Sequence, residues 1–210
     1  MNIIHHEQIK ADELIYRLKK VPLRGFGNPM AYEGASLALV KDFNTDLLVP
    51  PQRYVMKGGV QTILDLADYF EKKGIDVFSL EGAIFFWLEG VDPEKDPGIP
   101  FLPPIVEESC NRENVPLLLI NDGMHRVSAA RRRGRRINIV LATNVTHPYY
   151  AYPFEGGWNN VKEFDELPDE FLKKDYRNPD KYKDLFRQFN VIFPGIQEQR
   201  KQSNPSYIKV

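Results

Sequence analysis

Apolar residues at helical spacing mark one segment of this chain clearly. Val60, Ile63, Leu64, Ala67 and Phe70 share one face of a helix expected over residues 60–73. Lys72 and Lys73 suit its last turn, and Gly74 suits the left-handed position just beyond it. A second well-marked unit lies further on. Residues 117–120 are short, bulky and apolar and read as a buried strand. Asp122-Gly123 is a turn, residues 125–133 a helix closed by Gly134, and residues 137–141 another strand. The connection is long enough for a crossover, so the two strands are expected to run parallel.

The remaining pattern is weaker. Residues 11–20 predict a short helix with acids early and lysines late, followed by a Gly- and Pro-rich loop over 21–34. Residues 36–40 and 47–49 predict strands, the second stopped by Pro50-Pro51. Residues 84–88 (IFFWL) are wholly apolar, which leaves helix and strand both open. Residues 91–104 hold five prolines and read as a linker or insertion. From His147 the chain becomes aromatic and rich in turns. Short helices are expected near 169–174 and 180–189, the second with Tyr182, Leu185, Phe186 and Phe189 on one face. The polar residues 197–210 read as a mobile tail.

Composition narrows the chemistry. Hydrophobic residues make up 42% and charged residues 27%, so a sizeable core needs no staple. With 28 basic and 29 acidic residues the net charge is −1, and nucleic acid would need a local patch to be held. Cys110 is the single cysteine, which excludes an intrachain disulfide and any zinc site needing two thiolates. The four histidines, His5, His6, His125 and His147, form no HExxH spacing. The N-terminus does not read as a signal peptide, and the longest apolar runs, residues 83–88 and 115–120, fall far short of a membrane span. A cytoplasmic chain with no membrane partner is the expectation.

The segment Asp122-Gly123-Met124-His125-Arg126 carries the candidate chemistry. Glycine lets the backbone turn sharply between strand and helix. The first turn of the helix then offers free N–H groups and the positive end of its dipole, which suits phosphate. His125 adds an imidazole, and Arg126 a guanidinium able to fork onto phosphate oxygens. Asp122 could cap the helix or hold a phosphate-bound magnesium ion. A bare turn and cap with exposed side chains would account for the same residues, so the residues by themselves leave both readings open.

Residues 118–134, LLINDGMHRVSAARRRG, resemble the signature of the ParB/sulfiredoxin superfamily: a strand, a Gly-x-His-Arg turn and an Ala-rich helix ending at glycine. Pro103-Pro104-Ile105-Val106 loosely resembles the strand before that signature. Residues 48–54 (LVPPQRY) with the helix beyond them resemble the family's first box. The resemblance covers residues 36–142, interrupted by an insertion near 77–100, after an N-terminal helix and loop over 1–35. Residues 143–210 match nothing and read as an extension packed on the core.

The implied fold is α/β, a mixed α+β type with a small mixed sheet flanked by helices and a mainly helical C-terminal extension. The implied activity is that of a nucleotide-dependent phosphotransferase or nucleotide hydrolase. It would use a nucleoside triphosphate or diphosphate, ATP foremost, with magnesium and an unknown small-molecule acceptor. Asp122, Gly123, Met124, His125 and Arg126 would bind the nucleotide, with Asp122, His125 and Arg126 catalytic and Asp122 touching the metal. The alternative is a nucleotide-responsive or DNA-associated module without turnover.

Two departures from the family pattern matter. Met124 stands where sulfiredoxins carry their nucleophilic cysteine, and a thioether cannot replace it. Pro51-Gln52-Arg53 stands where free-serine kinases carry a catalytic glutamate. Gln52 cannot act as a base, and the triplet instead resembles the first box of partition proteins. Gln52, Arg53, Glu107 and Glu155 are candidate substrate contacts. Glu33, Glu107 and Glu155 are candidate carboxylates by position alone, each read more simply as a surface residue. Six arginines lie within residues 126–136. For residues 131–136 a solvated face paired with acids is preferred to a nucleic-acid patch. Tyr149, Tyr150, Tyr152, Phe154 and Trp158 could stack a base, but packing is the preferred reading.

Overall fold

A computed structural model describes residues 2–168 and 172–196. In chain order its elements are strand β1 (Ile3–Lys10), helix α1 (Ala11–Leu18), strands β2 (Ser36–Phe43), β3 (Leu48–Val49) and β4 (Tyr54–Met56), helix α2 (Lys57–Glu71), strands β5 (Gly82–Leu88), β6 (Ile99–Phe101), β7 (Ile105–Cys110) and β8 (Pro116–Asp122), helix α3 (Met124–Arg132), strands β9 (Ile137–Thr143) and β10 (Lys162–Phe164), and helix α4 (Phe189–Ile192). The fold is mixed α+β.

A five-stranded mixed sheet in the order β2-β9-β7-β8-β3 holds the motif. A second sheet, β1-β5-β6, is antiparallel throughout. β4 and β10 form a short parallel pair.

β8 and β9 are not the parallel neighbours that the crossover rule suggested. β7 lies between them, antiparallel to β8 and parallel to β9, so β8 and β9 run in opposite directions. The reason is a tight turn at residues 111–115. The Asn111 side chain accepts from the Glu113 and Val115 amides and Asn114 is left-handed, which folds β7 back as a hairpin partner for β8. β7 escaped the apolar pattern because its sequence, IVEESC, carries two glutamates.

The insertion expected near 77–100 is likewise an ordered part of the fold. It contributes β5, every residue of which is buried except the half-buried Leu88, and leads into β6. The N-terminal region begins with a strand, β1, whose polar His-His-Glu-Gln centre hid its pairing with β5.

Two of the apolar cores among the described residues explain these runs. Ile84 and Phe86 of β5 join Val60, Leu66 and Phe70 of α2, Val127 and Ala130 of α3, and Ile139 of β9. Ala83, Phe85 and Trp87 point the other way and join Leu14, Leu18, Val140, Phe189 and Phe193. A strand buried on both faces has no polar alternation to display. α2 starts at Lys57, three residues before its apolar stripe, and Gly74 adopts φ 75° beyond its end, as expected of a C-terminal glycine.

The extension lies over β8 through Tyr149, Tyr150, Ala151 and Tyr182. The helix expected over 180–189 is divided into a 3-10 turn (Tyr182–Leu185) and the four-residue α4, because Phe186 is extended and Arg187 bridges back to Leu23. Residues 172–174 are not helical. The rest of the helix expected there, residues 169–171, and the expected tail 197–210 lie outside the described residues. Among the described residues no helix is long and apolar enough to cross a membrane.

Phe193 comes from the extension and is 0% exposed, packed against Phe85 at a 6.4 Å ring separation. Phe193→Ala is expected to lower the unfolding free energy by about 3–5 kcal/mol in urea titrations. A loss below about 1 kcal/mol would mean that the extension is not part of the cooperative core.

Candidate functional site

β8 ends at Asp122, and the chain turns at Gly123 with φ 101° before α3 begins. A side chain there would be strained and would also press on Pro104, whose Cα and Cβ lie 3.0 Å from the position a Cβ would take. α3 has no side-chain cap and no acid in its first turn. Its first-turn N–H groups therefore have no intrahelical acceptor. Met124 buries its side chain in the core, so its contribution to the mouth of the helix is main chain. Asp122 does not cap α3; its carboxylate pairs with Arg126.

A second helix start faces the first. α2 also begins without a side-chain cap or an early acid. The N–H of Met56, the residue before it, donates to Nε2 of His125 over 3.3 Å. Gly59, in the first turn of α2, lies against the imidazole, and a Cβ there would come within 2.8 Å of Nε2. The His125 ring thus bridges the N-termini of α2 and α3.

The ring is held neutral. Burial, then the positive charges of Lys173 and Arg126, pull its pKa down to about 4, against a weaker opposing effect of Asp122. Since Nε2 accepts, the proton of the neutral ring belongs on Nδ1.

Arg126 is turned inward. Its side chain is 12% exposed, that of Asp122 39%. Besides Asp122 it donates to the carbonyls of Leu102 and Pro103, and it lies 5.9 Å over the Phe101 ring. The guanidinium expected at a phosphate fastens the segment before β7 to the motif.

The other candidates are spread apart. Gln52 is buried and donates to the Tyr54 carbonyl over 2.9 Å, bracing the first-box turn. Arg53 is half-buried beside Phe154, and its Nε is buried without a hydrogen-bond partner. Its main-chain N–H donates to the Lys173 carbonyl over 2.9 Å, which brings the extension beside the first box. Glu107 is fully buried and bound by Arg187, so it is no surface residue. Glu33 and Glu155 are exposed. Lys173, Met56 and Gly59 escaped the sequence reading, although Gly58-Gly59 just ahead of the apolar stripe of α2 was a usable signal for a close approach.

The five arginines of residues 131–136 are all paired with acids: Arg131 with Asp46, Arg132 with Glu163 at 2.6 Å, Arg133 with Asp68 at 2.5 Å, Arg135 with Asp76 at 2.5 Å and Arg136 with Asp42 at 2.9 Å. They form no open basic face. Cavities of about 120 and 200 Å³ lie beside these pairs, at the C-terminal end of α3, where the charge is already satisfied. Of the aromatics, Tyr149 and Tyr150 are buried, and Trp158 packs under Arg131 while donating to the Leu48 carbonyl over 2.6 Å. Among the described residues no three His, Cys, Asp or Glu side chains converge as a metal site.

A mixed sheet whose hairpin delivers a glycine turn into an uncapped helix is compatible with the ParB-like fold that the resemblance implied. Residues 13–162 match the family model of the ParB CE domain, and the chain belongs to that family. No curated protein matches the chain.

The buried imidazole makes stability depend on pH. Unfolded histidine titrates near 6.5 and folded His125 near 4, so between these values the unfolded chain binds more protons. This stabilisation is complete above about pH 6.5 and is lost as pH falls towards about 4. From this group alone the protein should be about 1–2 kcal/mol less stable at pH 5 than at pH 7. His125→Gln should remove that part of the slope in urea unfolding at the two pH values; an unchanged slope would refute the neutral buried ring.

Proposed function

We propose that the chain binds the phosphates of a nucleoside triphosphate or diphosphate, ATP foremost, where α2 and α3 begin, and acts on it as a phosphotransferase or nucleotide hydrolase. The observation that carries this reading is the pair of uncapped helix starts joined by a neutral imidazole. Two sets of free N–H groups and two positive dipole ends favour an anion with several oxygens. His125 contributes Nδ1–H as a donor. Its Nε2 is occupied by Met56, so the ring orients a phosphate rather than taking a proton.

Asp122 is the motif's carboxylate and is partly open to solvent. One carboxylate suits a magnesium ion whose other ligands are phosphate oxygens and water. Bound magnesium would supply charge neutralisation at the phosphates.

A second reading is favoured by one observation. An acceptor hydroxyl must lose a proton, Gln52 cannot take it, and the Glu107 carboxylate is already saturated by Arg187, Tyr32 and Asn121. This leaves Asp122 alone in the motif and supports a nucleotide-responsive module that binds without turnover. Paired arginines and a net charge of −1 count against a nucleic-acid partner.

Calorimetric titration with several nucleotides and magnesium, alongside phosphate release, tests both readings. Arg126→Ala leaves the Asp122 carboxylate uncompensated beside the helix start and unfastens the segment before β7. It should weaken binding by about tenfold, the equivalent of about 1.4 kcal/mol. Arg132→Ala, at the far end of α3, should change affinity by less than about threefold. Equal losses would indicate diffuse attraction and end the phosphate reading, as would absence of binding by the unaltered chain. Binding without phosphate release would select the module.

A further inference from the structure

Asn121 sits immediately before the motif and is the extra residue of a β-bulge. Ile105 pairs with Asp122 and Val106 with Ile120, so nothing on β7 stands opposite Asn121. A bulge bends its strand and re-aims the chain beyond it. At this bulge the re-aimed segment is the Gly123 turn, two residues on.

Side chains hold this bulged residue on both its polar ends. The side-chain amide donates to the Tyr32 hydroxyl over 2.7 Å and to Oε1 of Glu107. Its main-chain carbonyl accepts from the Tyr149 hydroxyl over 3.2 Å. Behind each of these stands a cation from the extension. Arg187 pairs with Glu107 at 2.9 Å, the two side chains being 1% and 2% exposed. Lys174 donates to the Tyr149 hydroxyl over 2.6 Å and is itself buried. Arg187 also binds the carbonyls of His147 and Leu185, each at 2.7 Å, so the same guanidinium orders the extension.

A buried ion pair is a poor stabiliser compared with apolar residues of the same volume. Its use here is directional: it fixes a carboxylate oxygen where the bulge amide needs an acceptor. We propose that Asn121 is the positioning residue of the motif, and that the C-terminal extension sets the direction of the Gly123 turn through Arg187–Glu107 and Lys174–Tyr149. The inference rests on the phosphate-site reading for its functional meaning, not for its geometry. The extension is then a working part of the site although it touches no reacting atom.

The test uses the full chain with Tyr149→Phe, and Tyr69→Phe as its control. Tyr69 makes the same kind of bond, from a partly buried hydroxyl to the Ile3 carbonyl at 3.0 Å, away from the motif. Amide exchange and the ring NMR signals of His125 are recorded with the thermal midpoint, followed by nucleotide titration. Tyr149→Phe should speed exchange of the Val127 amide, which donates to the Gly123 carbonyl over 3.0 Å, about three- to tenfold and shift the His125 signals. Tyr69→Phe should leave both unchanged whatever its loss of thermal midpoint. Nucleotide affinity should fall as the local exchange speeds up.

Should Tyr149→Phe not fold, Asn121→Ala, at a half-buried position, takes its place with the same expected outcome. Unaltered exchange and His125 signals in the folded variant, or equal loosening by Tyr69→Phe, would overturn the proposal. Loosening in a chain that binds no nucleotide would uphold the positioning role and remove the phosphate reading alone.

Discussion

A carboxylate and a guanidinium can leave water together only if their donors and acceptors find partners, and the Glu107–Arg187 pair meets that condition by drawing four parts of the chain to one point. Glu107 lies on β7 in the middle of the large sheet. Tyr32 comes from the loop before β2, Asn121 from the end of β8, and Arg187 from the extension. The remaining guanidinium hydrogens go to main-chain carbonyls at 147, 148 and 185. Burial pushes the Tyr32 hydroxyl well above its ordinary pKa, with the Glu107 charge adding to it, so it remains a donor to the carboxylate. Removing either ion would strand the other in the core, so this one contact keeps the extension, the sheet and the motif in register.

Charge elsewhere is organised by pairing. Five arginines at the C-terminal end of α3 and just beyond it are matched by acids from β2, α2, β10 and the loops between, which leaves that end of the helix electrostatically quiet. At the other end neither α2 nor α3 has a side-chain cap or an acid within its first turn, the flanking Asp165 and Asp122 are paired with Lys57 and Arg126, and His125 is kept neutral between the two starts. The contrast lies between two ends of one helix and does not show in the net charge of the chain.

Local physics was legible in the sequence where it acts alone. The stripe of Val60, Ile63, Leu64, Ala67 and Phe70, the left-handed Gly74 and Gly134, and the strand–glycine–helix turn at 117–133 all rest on neighbours within a few residues. Elements that depend on distant partners were not legible. The resemblance marked only the start of β7, at residues 105–106; its continuation is hidden because a buried glutamate looks like a surface one until its arginine, eighty positions away, is known. β1 is hidden because its histidines lie on aromatic rings, His5 on Trp87 and His6 on Phe70, that only the fold brings near.

The sequence by itself determined the chemistry available at the motif: a glycine turn, a free helix start, one imidazole, one guanidinium and one carboxylate. Tertiary structure decided how these are used. Arg126 turns to Asp122 and to the carbonyls of residues 102 and 103, because a long cationic side chain seeks the nearest uncompensated oxygens. His125 accepts from Met56 because packing of α2 on α3 encloses its ring. Such choices depend on which groups water can no longer reach, and burial is a property of the folded surface that no local stretch of sequence contains.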